Sequence, residues 1–237
     1  MKRVHHLLII LMLSAISLPL AQAQMAIGVR GGVHVAFNNL SFDHDFPEIT
    51  TRDNITVLAL AIPIEWPASK MFRLQSGLTF LTRGTRIHFR DRSAEINYID
   101  KYAIRYIQIP IVGKLNLDFN PFNLYVIGGA DLGYGIDFEL IELAYNDQGP
   151  TSWKNRKLDF QRAGVSRFDI GMALGGGIEA SISKGRRIFV DIRYHIGLND
   201  IDKRPNVEVY NQGRSYTIGM MLPVNFKKMQ KNGTAML

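Results

Sequence analysis

The stretch Ser215–Phe226, SYTIGMMLPVNF, separates into two sets when every second residue is read. Tyr216, Ile218, Met220, Leu222, Val224 and Phe226 make an apolar set. Ser215, Thr217, Gly219, Met221, Pro223 and Asn225 make a small or polar one, with Met221 the exception. Alternation sustained over this length is a strand signal. At about 3.3 Å per residue such a strand can also cross a bilayer when tilted. A soluble barrel would turn the apolar set into its lumen. A membrane barrel turns it outward to lipid and keeps the polar set inside. The sidedness of the other strands therefore decides the class.

Seven further segments read the same way. Ala26–Asn39 sets Ile27, Val29, Val33, Val35 and Phe37 against Arg30, His34 and Asn38. Val57–Trp66 sets Leu58, Leu60, Ile62, Ile64 and Trp66 against Ala59, Ala61, Pro63 and Glu65. From Phe72 onward, Leu74, Leu78 and Phe80 oppose Arg73, Gln75, Thr79 and Arg83. Ile104–Phe119 sets Ile107, Ile109, Ile111, Leu115, Leu117 and Phe119 against Tyr106, Gln108, Lys114, Asn116 and Asp118. Leu124–Leu140 sets Leu124, Val126, Leu132, Tyr134, Ile136 and Phe138 against Tyr125, Asp131, Asp137 and Glu139. Phe168–Ser183 sets Phe168, Ile170, Met172, Leu174, Ile178 and Ile182 against Asp169, Glu179, Ser181 and Ser183. Ile188–Gly197 sets Ile188, Val190, Ile192, Tyr194 and Ile196 against Asp191, Arg193 and His195.

The predicted fold is all-β, an eight-stranded antiparallel up-and-down transmembrane β-barrel. The connections alternate long and short: 41–52, 90–101, 141–167 and 199–212 are long, whereas 67–70, 120–123 and 184–186 are short turns. Outer-membrane barrels have short periplasmic turns and longer outer loops, so both termini are expected in the periplasm. A basic side chain at mid-depth in lipid costs about 2–4 kcal/mol, an acidic one less. The polar faces, carrying Arg30, Glu65, Arg73, Arg83, Lys114, Asp118, Asp131, Asp137, Glu179, Asp191 and Arg193, are thereby expected to point inward. Eight strands leave a lumen that side chains can fill, and the near balance of signs predicts a salt-bridged plug rather than an ion channel. A sheet edge cannot stand in lipid with unpaired backbone groups, so the last strand must pair with the first. Trp66, Phe72, Phe119, Phe122 and Phe226 at the short-turn end, and Phe37, Tyr102, Phe138, Phe168 and Tyr194 toward the long loops, are placed for aromatic girdles.

Composition agrees. The chain has 237 residues, no Cys and a formal charge of +7. The absence of Cys excludes disulfides, zinc–thiolate sites and a lipoprotein anchor. Lys2 and Arg3, the apolar run Leu7–Leu20 and the small-x-small site Ala21-Gln22-Ala23 read as a secretory signal over 1–23, with the mature chain starting at Gln24. The competing reading, a membrane anchor, meets a run that is short and ends in a cleavage signature. Removing two of the 28 basic residues leaves a mild excess over the 21 acidic ones, which does not suggest nucleic acid. The barrel is assigned to 24–226 and a basic periplasmic tail to 227–237, where Lys227, Lys228 and Lys231 are candidates for touching anionic lipid or a partner.

Three motifs carry a family resemblance. Gly28-Val29-Arg30-Gly31-Gly32-Val33 is similar to the opening strand of PorT-like outer-membrane β-barrel proteins of Bacteroidetes-type bacteria. Tyr106-Ile107-Gln108-Ile109-Pro110-Ile111 resembles their YLEIPLL motif, and Arg193 to Ile201 resembles their RYxxGLxxI element. The resemblance spans nearly all of the mature chain and implies an outer-membrane barrel. In some members it implies an accessory role in type IX secretion and gliding. The sequence departs from many such barrels in continuing past its final aromatic, Phe226.

Little in the sequence points to catalysis. His34 and His195 lie on lumen faces near Asp191 and Glu179, but a metal site needs three or four converging ligands, and lumen hydrogen bonding is the expected role. Ser215, His195 and Asp191 lie on neighbouring strands and are the residues of a possible hydrolase triad, which only geometry can establish. Gly175-Gly176-Gly177 lacks the Lys-Ser/Thr of a phosphate loop and falls inside a strand. The expectation is thus a non-enzymatic outer-membrane barrel with a structural, interaction or secretion-accessory role, with no cofactor and no metal. Outer-membrane lipid is the expected surrounding. Protein partners are expected at the long outer loops or the basic tail. A lipid or peptide hydrolase on the same barrel is one alternative. A soluble exported barrel with its apolar faces turned inward to bind a small apolar ligand is another.

Overall fold

The computed structural model describes residues 24–42, 49–91, 96–119, 121–183, 185–205 and 207–224. Ten strands follow in chain order: β1 (Ala26–Phe42), β2 (Ile49–Asp53), β3 (Ile55–Pro67), β4 (Phe72–Asp91), β5 (Ile96–Phe119), β6 (Phe122–Asn146), β7 (Gly149–Lys157), β8 (Phe168–Ser181), β9 (Arg187–Gly197) and β10 (Val207–Pro223). Every pairing is antiparallel. Eight strands make a closed ring in the order β1-β3-β4-β5-β6-β8-β9-β10. β10 returns to β1 in unbroken register from Ala26 opposite Pro223 to Phe42 opposite Val207. β2 and β7 stand outside the ring, as additions to β4 and β6.

The sidedness is that of a membrane barrel. Leu58, Val29 and Ile218 face outward with more than half of their surface exposed. The side chains of His34, Lys114 and Glu179 are sealed inside. Along β9 the expected alternation holds residue by residue, with Ile188, Val190 and Ile192 outward and Asp191, Arg193 and His195 inward. The soluble reading required the reverse and is overturned: the apolar faces are not the core.

Several boundaries differ from expectation. The segment 90–101, read as a charged loop, is mostly strand, because β4 and β5 stay paired up to Asp91 opposite Ile96. The expected loop 141–167 contains the end of β6 and all of β7. β10 begins at Val207, within the expected loop 199–212, and runs to Pro223. These stretches project beyond the apolar belt. Water there meets both faces of the sheet, so the period-two signal that marks a lipid-facing strand is lost. Ser181 and Ser183, assigned to the inner face, are exposed at the turn into β9, as is Asp118 at the β5–β6 turn. The expected leader 1–23, the aromatic Phe226 and the tail 227–237 lie outside the described residues.

One departure reverses a face. A bulge in the β5–β6 pairing sets Arg105 opposite Asp137 and Tyr106 opposite Gly135, leaving Ile136 as the extra residue. A one-residue insertion exchanges inside and outside for everything beyond it. Phe138 and Leu140 therefore point inward, and Asp137 and Glu139, expected in the lumen, turn outward. There they meet Arg105, with N–O distances of 2.7 Å to each, and Lys157 approaches Asp137 at 3.6 Å. On these strands this cluster of charge on the outer surface bounds the apolar belt on the loop side. Of the expected girdle residues, Phe72, Phe119, Phe122 and Phe168 are exposed, whereas Phe138 is buried and Tyr102 packs inward against its cluster.

The mouth at the loop end is roofed by the chain after β7. Ala163 N donates to Asp159 O, Val165 N to Phe160 O, and the Asp159 carboxylate caps Arg162 N at 2.9 Å, closing one tight turn. The turn drops Phe160 into the barrel against Ile104 and Phe138. Gly135 makes the space, since a Cβ there would lie 2.9 Å from the Phe160 ring. Backbone bonds from Ser166 N to Ile201 O and from Lys203 N to Gly164 O stitch this turn to the β9–β10 connection.

Candidate functional site

Two regions inside the ring carry chemistry: a packed polar stack in the lumen and a cup above it. At the short-turn end, Glu65 of β3 and Glu179 of β8 are bridged by cations from three other strands. Lys114 Nζ lies 3.0 Å from Glu65 and 2.6 Å from Glu179. Arg187 reaches Glu65 at 2.8 Å and Glu179 at 2.9 Å, and Arg73 reaches Glu179 at 2.8 Å. The Lys114 ammonium also sits 4.0 Å from the centre of the Tyr125 ring. Arg187 falls between the expected turn 184–186 and the expected strand Ile188–Gly197, with no role expected for it. It belongs to β9, and only the placement of β9 beside the β3–β4 turn end across the lumen reveals its role.

The next layer holds Arg193 against Asp191 at 2.7 Å and Gln75 at 2.8 Å. Tyr125 and Thr217 both donate to Asp191. Above it, Arg83 pairs with Asp169 at 2.7 Å, and Asn211 joins Asp169 to Tyr106. Buried ions are tolerated only when paired and hydrogen-bonded, and here carboxylates and cations alternate up the stack. Most of these bonds, such as Lys114–Glu65, Arg73–Glu179 and Arg83–Asp169, cross between non-neighbouring strands, so they brace the ring as well as fill it.

Within the stack lies an arrangement with the order of a hydrolase triad. His195 Nε2 is 3.2 Å from Ser215 Oγ, and His195 Nδ1 is 2.5 Å from Asp131 Oδ2. The acid is Asp131 and not the expected Asp191, which is occupied by Arg193, Thr217 and Tyr125. Ser215 Oγ is shared with His34 Nδ1 at 2.9 Å, and the two imidazoles meet edge to face at 5.5 Å. Gly213 permits this, because a Cβ there would lie 2.4 Å from the His34 ring. Ser215 is 4% exposed and His34 fully buried, so nothing reaches the hydroxyl from outside. Its geometry is that of an internal hydrogen-bond relay. Among the described residues, no cluster of three His, Asp or Glu side chains is placed to hold a metal.

The cup opens above Asn38 and Asn211, whose side chains bond at 2.9 Å. Its volume is about 780 Å³. The walls are apolar: Ile87, Ile104, Phe138, Leu140, Leu158, Val165, Ile201 and Val209. The rim carries Arg156, Lys157, Arg162 and Arg204 against Asp159 and Asp202. Burial, reinforced by the Asp100 carboxylate, pushes the Tyr102 phenol up, so this wall residue stays neutral. The hydrogen bonds that Arg204 donates to Asp202 raise its guanidinium, which remains charged. No motif marked the cup in the sequence. Its walls come from six strands and two connections and meet only in the closed ring.

A family model described as an outer membrane protein beta-barrel domain matches residues 20–203. No curated protein matches the sequence. Among solved structures, Neisserial surface protein A is similar at 10% identity over 84% of this chain and 97% of that one, with a TM-score of 0.46. OprG from Pseudomonas aeruginosa is similar at 11% identity over 86% and 99%, with a TM-score of 0.47. Ail of Yersinia pestis is similar at 14% identity over 82% and 99%, with a TM-score of 0.32.

Proposed function

The chain belongs to the outer membrane protein β-barrel domain family, and from that premise we propose that it is a non-conducting, non-enzymatic barrel of the outer membrane that presents an interaction platform beyond the lipid. Both termini then lie in the periplasm and the β4–β7 sheet lies outside. The observation that carries this reading is the contrast between the two ends. The lumen is closed by cross-braced ion pairs, whereas β4 to β7 rise past the charged cluster at Arg105 and expose an edge along β7 that is unpaired among the described residues. Trp153 is 65% exposed on that edge, and aromatic residues are enriched at protein interfaces. The resemblance to PorT-like proteins supports a secretion-accessory partner in particular.

The test is co-purification from outer membrane solubilised in mild detergent. The full chain is expected to bring down a stoichiometric protein partner. A variant with 143–153 replaced by a tight Asn-Gly turn is expected to lose it. Recovery of the barrel alone from both would overturn the proposal.

A second reading has one observation in its favour, the Asp131–His195–Ser215 order. A hydrolase would label at Ser215 with a fluorophosphonate and lose lipid or peptide cleavage in His195→Ala. Burial of Ser215 two inward layers beneath the Asn38–Asn211 floor predicts neither.

A further inference from the structure

The cup at the barrel mouth is built for a ligand. We propose that it binds a small amphipathic molecule with an unbranched or compact apolar body and a single anionic group, held with the body in the cup and the charge at the rim beside Arg162. This is independent of the partner reading above, since residues 143–153 do not line the cup.

Three observations carry it. The first is size and lining. About 780 Å³ falls in the range of small-molecule sites, about 300–1,000 Å³, and such sites are mainly apolar with a few placed polar groups. Apolar walls at the mouth of a barrel have no role in membrane insertion, because they face neither lipid nor the ion-paired stack. The second is the polar floor. Asn38 and Asn211 close the bottom with neutral amides, and both are tied downward or sideways, Asn211 to Asp169 and Asn38 to Asn211. Among the described residues nothing charged projects up from the floor, so the charged end of a ligand belongs at the top.

The third is the state of the rim cations. Arg204 is held by Asp202, Arg156 by Glu142 at 2.7 Å, and Lys157 leans outward to Asp137. The backbone of Arg162 is fixed by Asp159, but among the described residues its guanidinium has no partner. An exposed guanidinium on a rigid turn over an apolar cavity is a matching site for a carboxylate, which it can grip in two-point fashion. The rim carboxylates are already engaged, Asp202 by Arg204 and Asp159 by Arg162 N.

Equilibrium dialysis of radiolabelled decanoate against the full chain in lipid nanodiscs, with empty nanodiscs subtracted, tests the assignment. Saturable binding is expected, tightening about fourfold per methylene from octanoate to decanoate. Decanol is expected to bind about threefold more weakly, the scale of one exposed ion pair. Arg162→Glu should abolish that preference. Ala163→Trp and, independently, Leu158→Trp fill the cup from two sides and should each reduce decanoate binding at least tenfold. Their folding is checked by heat-modifiable electrophoretic mobility. Binding no greater than to empty nanodiscs overturns the proposal. So does binding that survives both Trp variants, or decanol binding as tightly as decanoate.

Discussion

Substituting Glu179→Gln tests whether the ion-paired stack holds the barrel together or merely fills it. Glu179 is fully buried. It accepts from Arg73 at 2.8 Å, Lys114 at 2.6 Å and Arg187 at 2.9 and 3.0 Å. Glutamine preserves the volume but replaces one acceptor oxygen with an NH2 that faces three cations. Glu65 is then the remaining carboxylate within reach, and it already serves Lys114 and Arg187. Removing one partner of a buried ion pair costs about 3–5 kcal/mol, whereas an exposed pair is worth about 0–1 kcal/mol. The two cases are far enough apart to separate. With a urea dependence of about 2 kcal/mol per molar, the buried case predicts a midpoint lowered by about 2 M for the barrel refolded into short-chain phosphatidylcholine vesicles. Trp66 fluorescence and electrophoretic mobility are suitable readouts. Glu179→Gln combined with Lys114→Met removes one charge of each sign and should recover at least about 1 kcal/mol relative to the sum of the single losses, within the range of coupled neighbours. A midpoint within about 0.5 M of the parent at that slope, or losses that simply add, would refute the claim that these charges are dry and coupled.

Further expectations follow from the same geometry. The chain has no Cys, so single cysteines report cleanly. Asp137→Cys should react with a water-soluble maleimide in intact vesicles and Phe138→Cys should not, because the bulge at Ile136 exchanges their faces; the opposite pattern would remove the bulge. In whole cells, Asn155→Cys on β7 should label directly, and Arg186→Cys at a short turn only after the outer membrane is permeabilised, which checks the proposed orientation. In planar bilayers the parent protein should give no stepwise conductance. Regular single-channel openings would contradict a lumen closed by Arg83–Asp169, Arg193–Asp191 and the Glu179 cluster.

Sidedness was legible in the sequence because lipid imposes a rule on every residue of a spanning strand. The assignments of Leu58, Ile109, Ile192 and Ile218 to the exterior, and of Arg30, Glu65, Lys114 and Arg193 to the interior, needed no knowledge of neighbours. Hydrocarbon penalises each charge separately, and the side-chain period of a strand is two. The eight-membered ring, its closure through β1 and β10 and the alternation of long and short connections followed from the same rule. Beyond the apolar belt the rule ends. There β2, β7 and the upper parts of β4 and β5 look like loops, since water accepts any side chain on either face.

Tertiary structure alone decided who meets whom. Nothing local says that Ile136 bulges, yet that single residue takes Asp137 and Glu139 out of the lumen and brings Phe138 into the cup. Asp131 and not Asp191 holds His195, and Arg187 joins Glu65 and Glu179, because ring closure and stagger bring strands distant in sequence to the same height. A strand's pattern states which side of the wall a residue occupies. Only the closed cylinder states what stands opposite, because contacts across a lumen depend on the relative register of all eight strands at once.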